Sequence, residues 1–160
     1  MNLERYRNLA IQKQKEHRKI LSQLKNKKIK NLDRLTAKIH EEVFSEIDCT
    51  QCANCCKILG PLWTESDITR VAKYLKMKVS DFERRYLKID DDGDKVFQTM
   101  PCPFLGADNL CSIYEIRPKA CHEFPHTDRK KFYQINHLTI KNTVYCPAAY
   151  EFVEKLKDRV

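Results

Sequence analysis

Residues 2–47 contain neither glycine nor proline, and their apolar positions recur at helical intervals. In the second half of this stretch the apolar positions step by three or four residues, which is the spacing of one face of an α-helix. These positions are Ile29, Leu32, Leu35, Ile39, Val43 and Ile47. A similar stripe lies upstream, where Lys13 and His17 interrupt it. We therefore predict a helical arm over residues 1–47, formed by one kinked helix or by two helices that separate at Lys25–Lys28.

The rest of the chain shows shorter periodic segments divided by glycine and proline. Thr64 and Ser80 each precede acidic residues and an apolar face, so we predict a capped helix start at both positions. Residues 95–99 are predicted to form a short strand after a polar turn, and partial alternation over residues 132–139 predicts another strand. Pro147 is well placed for the first turn of a closing helix. The pattern as a whole predicts an α-rich small domain with minor short β structure.

The net charge of +8 lies entirely in the N-terminal part of the chain. Residues 1–30 carry ten Lys and Arg against two acidic residues, whereas residues 31–160 carry twenty of each sign. Such a basic segment could bind an acidic partner, or nucleic acid through phosphate contacts. Tyr6 is the only aromatic residue there, however, which leaves little to stack on bases. The alternative is a solvated face on a helix that packs on the domain or pairs with a second copy as a homodimer.

The 160-residue chain is long enough for one domain of ordinary size, and its 42% of hydrophobic residues can supply a core. It contains no run of 18 apolar residues, so we predict no membrane span. The first twenty residues carry many charges, which does not fit a secretory signal peptide. We therefore expect a cytoplasmic protein whose cysteines are reduced or bound to metal.

Eight cysteines are the main chemical feature of the chain, and four of them form the motif Cys49-x2-Cys52-x2-Cys55-Cys56. In a reducing compartment such a cluster is typical of a metal site, since the two-residue spacing lets a turn aim two sulfurs at one ion. The other four cysteines, also predicted ligands, are Cys102, Cys111, Cys121 and Cys146. Adjacent side chains diverge in helices and strands, so Cys55 and Cys56 are not expected to reach one mononuclear centre together. Either one of them is not a ligand, or the eight sulfurs serve two centres.

Two kinds of centre fit the cysteine spacing. Eight thiolates would satisfy two tetrahedral zinc ions. The segment Cys49-x2-Cys52-x2-Cys55 also matches the first three ligands of a bacterial ferredoxin cluster, whose fourth ligand is a cysteine followed by proline. Cys102 and Cys146 both precede a proline. Both interpretations stay open, and the triplet slightly favours an iron–sulfur cluster.

The cysteine motif continues in the segment Cys102–Leu105 and in the stretch Cys111–Pro125, which ends in Cys-His-Glu-Phe-Pro. Together with the first four cysteines, this pattern resembles the CxxCxxCC cysteine-cluster family (YkgJ-type zinc- or iron-chelating proteins). The resemblance covers about residues 49–147 and leaves the helical arm outside. It implies metal chelation by the cysteines and says little about an activity. His122 stands where the family pattern is expected to have Arg, so it must substitute for that residue or the local charge differs.

Four thiolates on a divalent ion leave a local charge of −2, which calls for nearby cations. Lys57, Arg117 and Lys119 lie next to cysteines in sequence and are candidate partners around the cofactor. For Arg117 the equally weighted alternative is that its guanidinium ties loop carbonyls together. His122 and His126 could ligate zinc or iron, but with eight thiols present we interpret them as hydrogen-bond partners or surface residues. The remaining histidines are interpreted as ordinary surface or boundary residues: His17, His40 and His137.

The chain has no glycine-rich nucleotide motif, no H-E-x-x-H and no G-x-S-x-G. Whether it is an enzyme is therefore left uncertain, and non-catalytic metal binding is favoured. We predict a metal-binding protein with a basic helical arm (1–47) and a cysteine-cluster domain (48–160) whose irregular core surrounds the metal. The alternatives are an iron–sulfur-dependent redox enzyme or accessory factor, and a zinc-stabilised nucleic-acid-associated protein that uses the arm.

Overall fold

The computed structural model describes residues 1–26 and 29–160. Helices dominate these residues, and regular β structure is limited to one pair of short strands, so the predicted α-rich fold is confirmed. None of the helices described has the length and apolar character that a membrane crossing needs. The α-helices are α1 (Leu3–Gln12), α2 (Gln14–Asn26), α3 (Leu32–Glu46), α4 (Cys49–Cys52), α5 (Asn54–Ile58), α6 (Glu65–Tyr74), α7 (Val79–Tyr86), α8 (Lys119–Glu123), α9 (Asn136–Tyr145) and α10 (Pro147–Lys157). The strands are β1 (Leu87–Ile89) and β2 (Lys95–Phe97), and 3₁₀ turns lie at Tyr114–Ile116 and Phe132–Ile135.

The chain forms two compact units. The first, which we call the helical unit, consists of Met1–Asp48 and Pro125–Val160 and contains α1–α3, α9 and α10. The second, the cysteine unit, is the continuous segment Cys49–Phe124. The helical arm therefore shares a unit with the C-terminal helices, and the predicted division into domains 1–47 and 48–160 stays a prediction.

Helices α1 and α2 follow each other almost without a break. The N–H of Lys13 donates to the carbonyl of Leu9 (2.9 Å), and the N–H of His17 donates to the carbonyl of Lys13 (2.9 Å). Helix α3 begins after Asn31, whose φ of 59° lies in the left-handed region. The arm thus contains three helical segments where the sequence predicted one kinked helix or two. The predicted separation at Lys25–Lys28 falls partly outside the described residues.

The core of the helical unit contains the apolar stripe predicted for α3. Ile39 and Val43 are buried in one cluster with Phe152 and Leu156 of α10. Helix α10 begins at Pro147, as predicted, because a proline in the first turn of a helix loses no helical hydrogen bond. The other buried members of this core are Leu21, Leu24, Leu32, Ile47, Phe132, Ile135, Ile140, Ala148 and Val153.

The strand predicted over residues 132–139 is wrong. This segment forms a 3₁₀ turn that leads directly into α9. Phe132, Ile135 and Thr139 are buried, and their spacing of three and four residues is that of a helix face. The partial alternation in the sequence is overridden because Phe132 and Ile135 pack into the core of the helical unit.

The interpretation of His17 as a surface or boundary residue is also wrong. Its side chain is fully buried, and its Nε2 lies 2.8 Å from Oε1 of Glu154 on α10. Lys13 and Lys157 pair with Oε2 of the same carboxylate. The imidazole also lies beside the ring of Tyr150, with ring centroids 5.6 Å apart. A carboxylate far along the chain therefore supplies the polar partner that allows this histidine to be buried.

In the cysteine unit, α6 begins at a complete capping box. The hydroxyl of Thr64 accepts from the N–H of Asp67 at 3.1 Å, and the carboxylate of Asp67 accepts from the N–H of Thr64 at 3.3 Å. The helix start predicted at Thr64 is confirmed. Helix α7 begins earlier than predicted, because the carbonyl of Lys78 already accepts two helical N–H groups. The capping box predicted at Ser80 is therefore wrong.

Aromatic rings form the centre of the cysteine unit. Phe82 is fully buried, and its ring centroid lies 5.2 Å from that of Trp63. Strands β1 and β2 pair antiparallel beside these rings, so a strand forms in the first part of the predicted segment 95–99. The partly buried Cys102 and Cys111 pack against this core. The hydrophobic core therefore helps to position two of the cysteines.

Candidate metal centre

Cys55 and Cys56 lie side by side on the short helix α5. Their Sγ atoms are 4.0 Å apart. The expectation that these side chains diverge is wrong, because rotation about χ1 can bring adjacent sulfurs together even where the Cβ atoms point apart. In a tetrahedral site with zinc–sulfur bonds of about 2.3 Å, neighbouring sulfurs lie roughly 3.8 Å apart. The spacing of this pair is therefore compatible with ligation of one centre.

A backbone hydrogen bond brings Cys102 next to this pair. The N–H of Cys102 donates to the carbonyl of Cys56 at 2.8 Å. Leu105, whose N–H donates to the carbonyl of Cys102 at 3.1 Å, forms an isolated β-bridge with Cys111. Cysteines from segments far apart in sequence are thus connected through short backbone contacts.

Cys121 joins the same group from α8. The N–H of Cys121 donates to the carbonyl of Pro118 at 2.9 Å, which fixes the cysteine in the first turn of this helix. Burial raises the pKa of its thiol, and the thiolates of Cys56, Cys102 and Cys111 add to this effect, so that the pKa reaches about 12. A Coulombic effect of this kind weakens with distance, so it indicates that the sulfur atoms lie in the same part of the cysteine unit. Cys121 therefore lies within Coulombic range of the other three thiols.

The four thiols differ in how easily they lose a proton. Burial raises the pKa of Cys102 to about 11, and it also raises the pKa of Cys111. A hydrogen bond from Cys55 lowers the pKa of Cys56 to about 7. One thiolate is thus accessible near neutral pH, whereas burial keeps the other three thiols protonated unless a cation replaces the proton.

The remaining predicted ligands are placed differently. Cys49 and Cys52 lie at the two ends of α4, where Cys49 is exposed and Cys52 is half-buried. Cys146 belongs to the helical unit, where it joins α9 to α10. Across residues 1–26 and 29–160, no group of three or more His, Cys, Asp or Glu side chains is arranged so that it could hold a metal ion as it stands. The contacts and Coulombic effects given above link five of the predicted ligands, and these five are thiols rather than disulfides: Cys55, Cys56, Cys102, Cys111 and Cys121.

The three candidate cations differ in their relation to the thiols. Arg117 works against burial to lower the pKa of two of the four thiols, so its guanidinium lies near them. The hydrogen bond with Cys55 has the largest effect on the pKa of Cys56, and the positive charge of Lys57 lowers that pKa further. The side chain of Lys119 is 70% exposed, and its Nζ lies 3.6 Å from Oε1 of Glu123. Two of the three predicted cations therefore act on the thiols electrostatically.

Asp67 was predicted only as a helix-capping residue, and Arg70 was not singled out by the sequence pattern. The carboxylate of Asp67 is 2% exposed, and its Oδ1 accepts from Nη2 of Arg70 (2.6 Å) and from the N–H of Lys119 (3.1 Å). Arg70 also donates to the carbonyls of Ile116 (3.4 Å) and Arg117 (3.0 Å). These bonds tie α6 to the segment that leads into α8. In sequence the only signal is the i, i+3 spacing of the two residues, which by itself predicts an ordinary surface ion pair.

Apart from the buried His17, the histidines lie at exposed or half-buried positions, and the prediction that His122 and His126 are not ligands stays a prediction. His122 is exposed on α8, and His126 is half-buried in the helical unit. His40 is half-buried, with Nδ1 2.7 Å from Oγ1 of Thr127, and His137 is exposed. The departure from the family pattern at His122 therefore concerns a solvent-facing position.

The basic arm makes ion pairs within its own unit. Lys13 pairs with Glu154, and Glu16 lies 3.5 Å from Nζ of Lys157. These contacts join the α1–α2 segment to α10, and the positive charge of Lys13 is therefore paired with a carboxylate of the same unit. The predicted roles of the arm toward nucleic acid, an acidic partner or a second copy stay predictions.

A family model named CxxCxxCC and described as a putative zinc- or iron-chelating domain matches residues 48–147. The chain belongs to this family. The match spans more than half of the chain and includes all eight cysteines, which confirms the resemblance seen in the sequence. Metal binding is supported at this level, with zinc or iron as the metals named for the CxxCxxCC domain. No curated protein and no solved structure gives a significant match to the chain.

Proposed function

We propose that the CxxCxxCC domain of this chain binds zinc or iron through four thiolates, those of Cys56, Cys102, Cys111 and Cys121. The observation that carries the proposal is that the Cys102–Cys56 backbone bond and the Leu105–Cys111 bridge bring these segments together, and that the thiolates there raise the pKa of Cys121. Four thiolates are a complete ligand set for tetrahedral zinc, and cysteine thiolates are also the usual ligands of iron–sulfur clusters. The description of the family supports the same two metals.

The chemistry of the donor set fits a cation. Three of the thiols are half-buried and hold their protons strongly, and a metal ion stabilises the thiolate form in their place. Four thiolates on a divalent ion leave a charge of −2, which Arg117 and Lys57 reduce from the side of the protein. The metal would connect segments of the cysteine unit that are far apart along the chain.

A fifth thiol gives the second candidate function its support. Cys55 lies 4.0 Å from Cys56, so the group contains more sulfur than one tetrahedral zinc ion can use. The motif Cys49-x2-Cys52-x2-Cys55 leads directly into this pair. A polynuclear centre, such as an iron–sulfur cluster in a redox enzyme or accessory factor, would use these additional thiols.

Elemental analysis of the full-length chain, purified without oxygen, tests the proposal and separates the two metals. We expect zinc or iron to copurify in stoichiometric amount. Zinc in a colourless protein supports the four-thiolate site, whereas iron with acid-labile sulfide and a brown colour supports the cluster. Wild-type protein that holds neither metal, and whose cysteines all react with a thiol reagent, would contradict the proposal.

Single cysteine variants then locate the ligands. Cys56→Ser and Cys121→Ser are each expected to lower metal affinity by at least 10-fold. Loss of a residue that only supports a ligand already lowers affinity by about 10-fold, and each of these variants loses a proposed ligand itself. Cys49→Ser is the comparison variant, because Cys49 is exposed and is not one of the four proposed ligands. Metal loss in Cys49→Ser but not in Cys121→Ser would overturn the four-thiolate site in favour of the N-terminal triplet. Cys146→Ser tests the eighth predicted ligand in the same way.

A further inference from the structure

We infer that Asp67 and Arg70 are positioning residues of the metal site, although neither belongs to the cysteine pattern. They hold the backbone of residues 116–119, which carries Arg117 and leads into the helix that contains Cys121. The inference rests on the proposed function, because it takes Cys121 to be a metal ligand.

The carboxylate of Asp67 has two separate sets of donors. Its Oδ2 accepts from the N–H (3.3 Å) and the hydroxyl (2.7 Å) of Thr64, which is the capping interaction at the start of α6. Its Oδ1 accepts from Nη2 of Arg70 (2.6 Å) and from the N–H of Lys119 (3.1 Å). A capping box needs only the first set. The second set explains why this carboxylate is buried to 2% exposure, since a charge in that position must be fully hydrogen-bonded.

Arg70 extends the same link with its guanidinium. Nη2 reaches both Oδ1 of Asp67 (2.6 Å) and the carbonyl of Arg117 (3.0 Å), while Nε donates to the carbonyl of Ile116 (3.4 Å). A planar guanidinium presents several donors in a fixed arrangement, whereas a lysine ammonium is a single point. This side chain is therefore suited to hold two successive carbonyls and one carboxylate at the same time.

The segment held in this way has little regular bonding of its own. Pro118 has no N–H, and the N–H of Arg117 makes a long bond of 3.4 Å to the carbonyl of Tyr114. The carbonyl of Pro118 accepts from the N–H of Cys121, so the position of the proline sets that of the cysteine. The guanidinium of Arg117 lies 4.0 Å from the ring centroid of Tyr114, in the 3₁₀ turn just before this segment. A shift of this segment would move a proposed ligand and its nearby cation together.

Zinc affinity of the full-length chain, measured by competition with a chromophoric chelator, tests the inference. Asp67→Asn is expected to bind zinc about 10-fold more weakly, because an amide NH₂ replaces one of the accepting oxygens. Arg70→Lys should show a loss in the same direction, because the fork of donors is gone. In the zinc-loaded protein, alkylation of Cys121 followed by mass spectrometry should accelerate in both variants relative to Cys102. Faster alkylation at Cys121 alone would indicate that this cysteine has lost its position, whereas a general loss of stability would expose both cysteines.

Two control variants sharpen the test. Thr64→Ala removes the capping side of the Asp67 carboxylate and leaves Oδ1 in place, so it should lower thermal stability without changing zinc affinity. Asp81→Asn breaks an ion pair of the same i, i+3 spacing on α7, where its partner Arg84 is 78% exposed, and should change neither property.

The inference is overturned if Asp67→Asn behaves like Thr64→Ala, with lower stability but zinc affinity within about twofold of wild type. Arg70 is 41% exposed, so Arg70→Lys keeps the test open if Asp67→Asn does not fold. A wild-type chain that binds no zinc, cobalt or iron through its thiols would contradict the proposed function itself. The two failures are therefore distinguishable.

Discussion

The substitution Glu154→Gln tests whether a partly buried ion network stabilises the helical unit. The carboxylate of Glu154 is 18% exposed and contacts Lys13, His17 and Lys157. Burial alone would raise the pKa of this carboxyl, but hydrogen bonds from the three basic side chains outweigh burial and lower the pKa to about 2. Glutamine keeps the size of the side chain and removes its charge, so the variant isolates the electrostatic contribution.

The size of the effect follows from proton linkage. A pKa lowered from 4.5 to about 2 corresponds to about 3 kcal/mol of stability at neutral pH. Lys13 and Lys157 are 33% and 29% exposed, so solvent screens part of their attraction. We therefore expect Glu154→Gln to lower the free energy of unfolding by about 2 kcal/mol at pH 7.

The loss also depends on pH with a definite sign. The pKa of Glu154 in the folded state lies below its value in the unfolded chain, so the stabilisation is fully present above about pH 4.5 and is lost as the pH falls towards 2. At about pH 3 roughly two fifths of the linkage energy remains. The gap in stability between wild type and variant should therefore narrow from pH 7 to pH 3.

Urea unfolding followed by far-ultraviolet circular dichroism measures this gap, because the helical unit contributes most of the long helices. With a denaturant slope of about 2 kcal/mol per molar, the midpoint should shift by about 1 M urea. Glu42→Gln is the control, since Glu42 pairs with Arg159 at the surface of the same unit (2.6 Å) and should cost less. Equal midpoints for wild type and Glu154→Gln at pH 7, or a gap that does not narrow at pH 3, would refute the reasoning.

Two further predictions concern the cysteine unit. Phe82→Ala should lower the free energy of unfolding of this unit by about 3–5 kcal/mol, measured by the fluorescence of the neighbouring Trp63. Tyr74→Ala, at a 59% exposed position, should leave stability near wild type. An equal loss in both variants would contradict the assignment of the core. Removal of metal with a chelator should increase amide hydrogen exchange in α4, α5 and α8 before it does so in α6 and α7. A uniform increase across the unit would contradict a local role for the metal.

Most features that depend on neighbouring residues could be predicted from the sequence, with the capping box at Ser80 as the exception. The apolar stripe of α3 is formed by residues three and four apart, and the cap of α6 requires only Thr64 and the residue three positions later. Pro147 starts α10 for the equally local reason that proline fits a first helical turn. The cysteine motif, together with the residues beside the later cysteines, was sufficient to predict the family as well.

Features that depend on partners far along the chain could not be predicted in this way. His17 is buried because Glu154, 137 residues later, supplies its hydrogen bond. Asp67 is more than a helix cap because the N–H of Lys119 lies 52 residues away in sequence and 3.1 Å away in space. The helix at Phe132 replaces a predicted strand because its buried face meets a core built from distant segments. The local sequence pattern predicts secondary-structure elements, whereas contacts between residues far apart in sequence determine which polar side chains are buried.

The two parts of the cysteine unit are stabilised by different interactions. Helices α6 and α7 and the strand pair surround an aromatic core. Helices α4, α5 and α8 have only four or five residues, and isolated helices shorter than about 12 residues are marginal in water. Their order must come from tethers such as the Asp67–Lys119 bond and the Cys56–Cys102 backbone bond. A cation bound by the four thiolates would contribute its binding free energy in the part of the unit where the hydrophobic core contributes least. It would therefore stabilise the folded form of the cysteine-bearing segments rather than that of the whole chain.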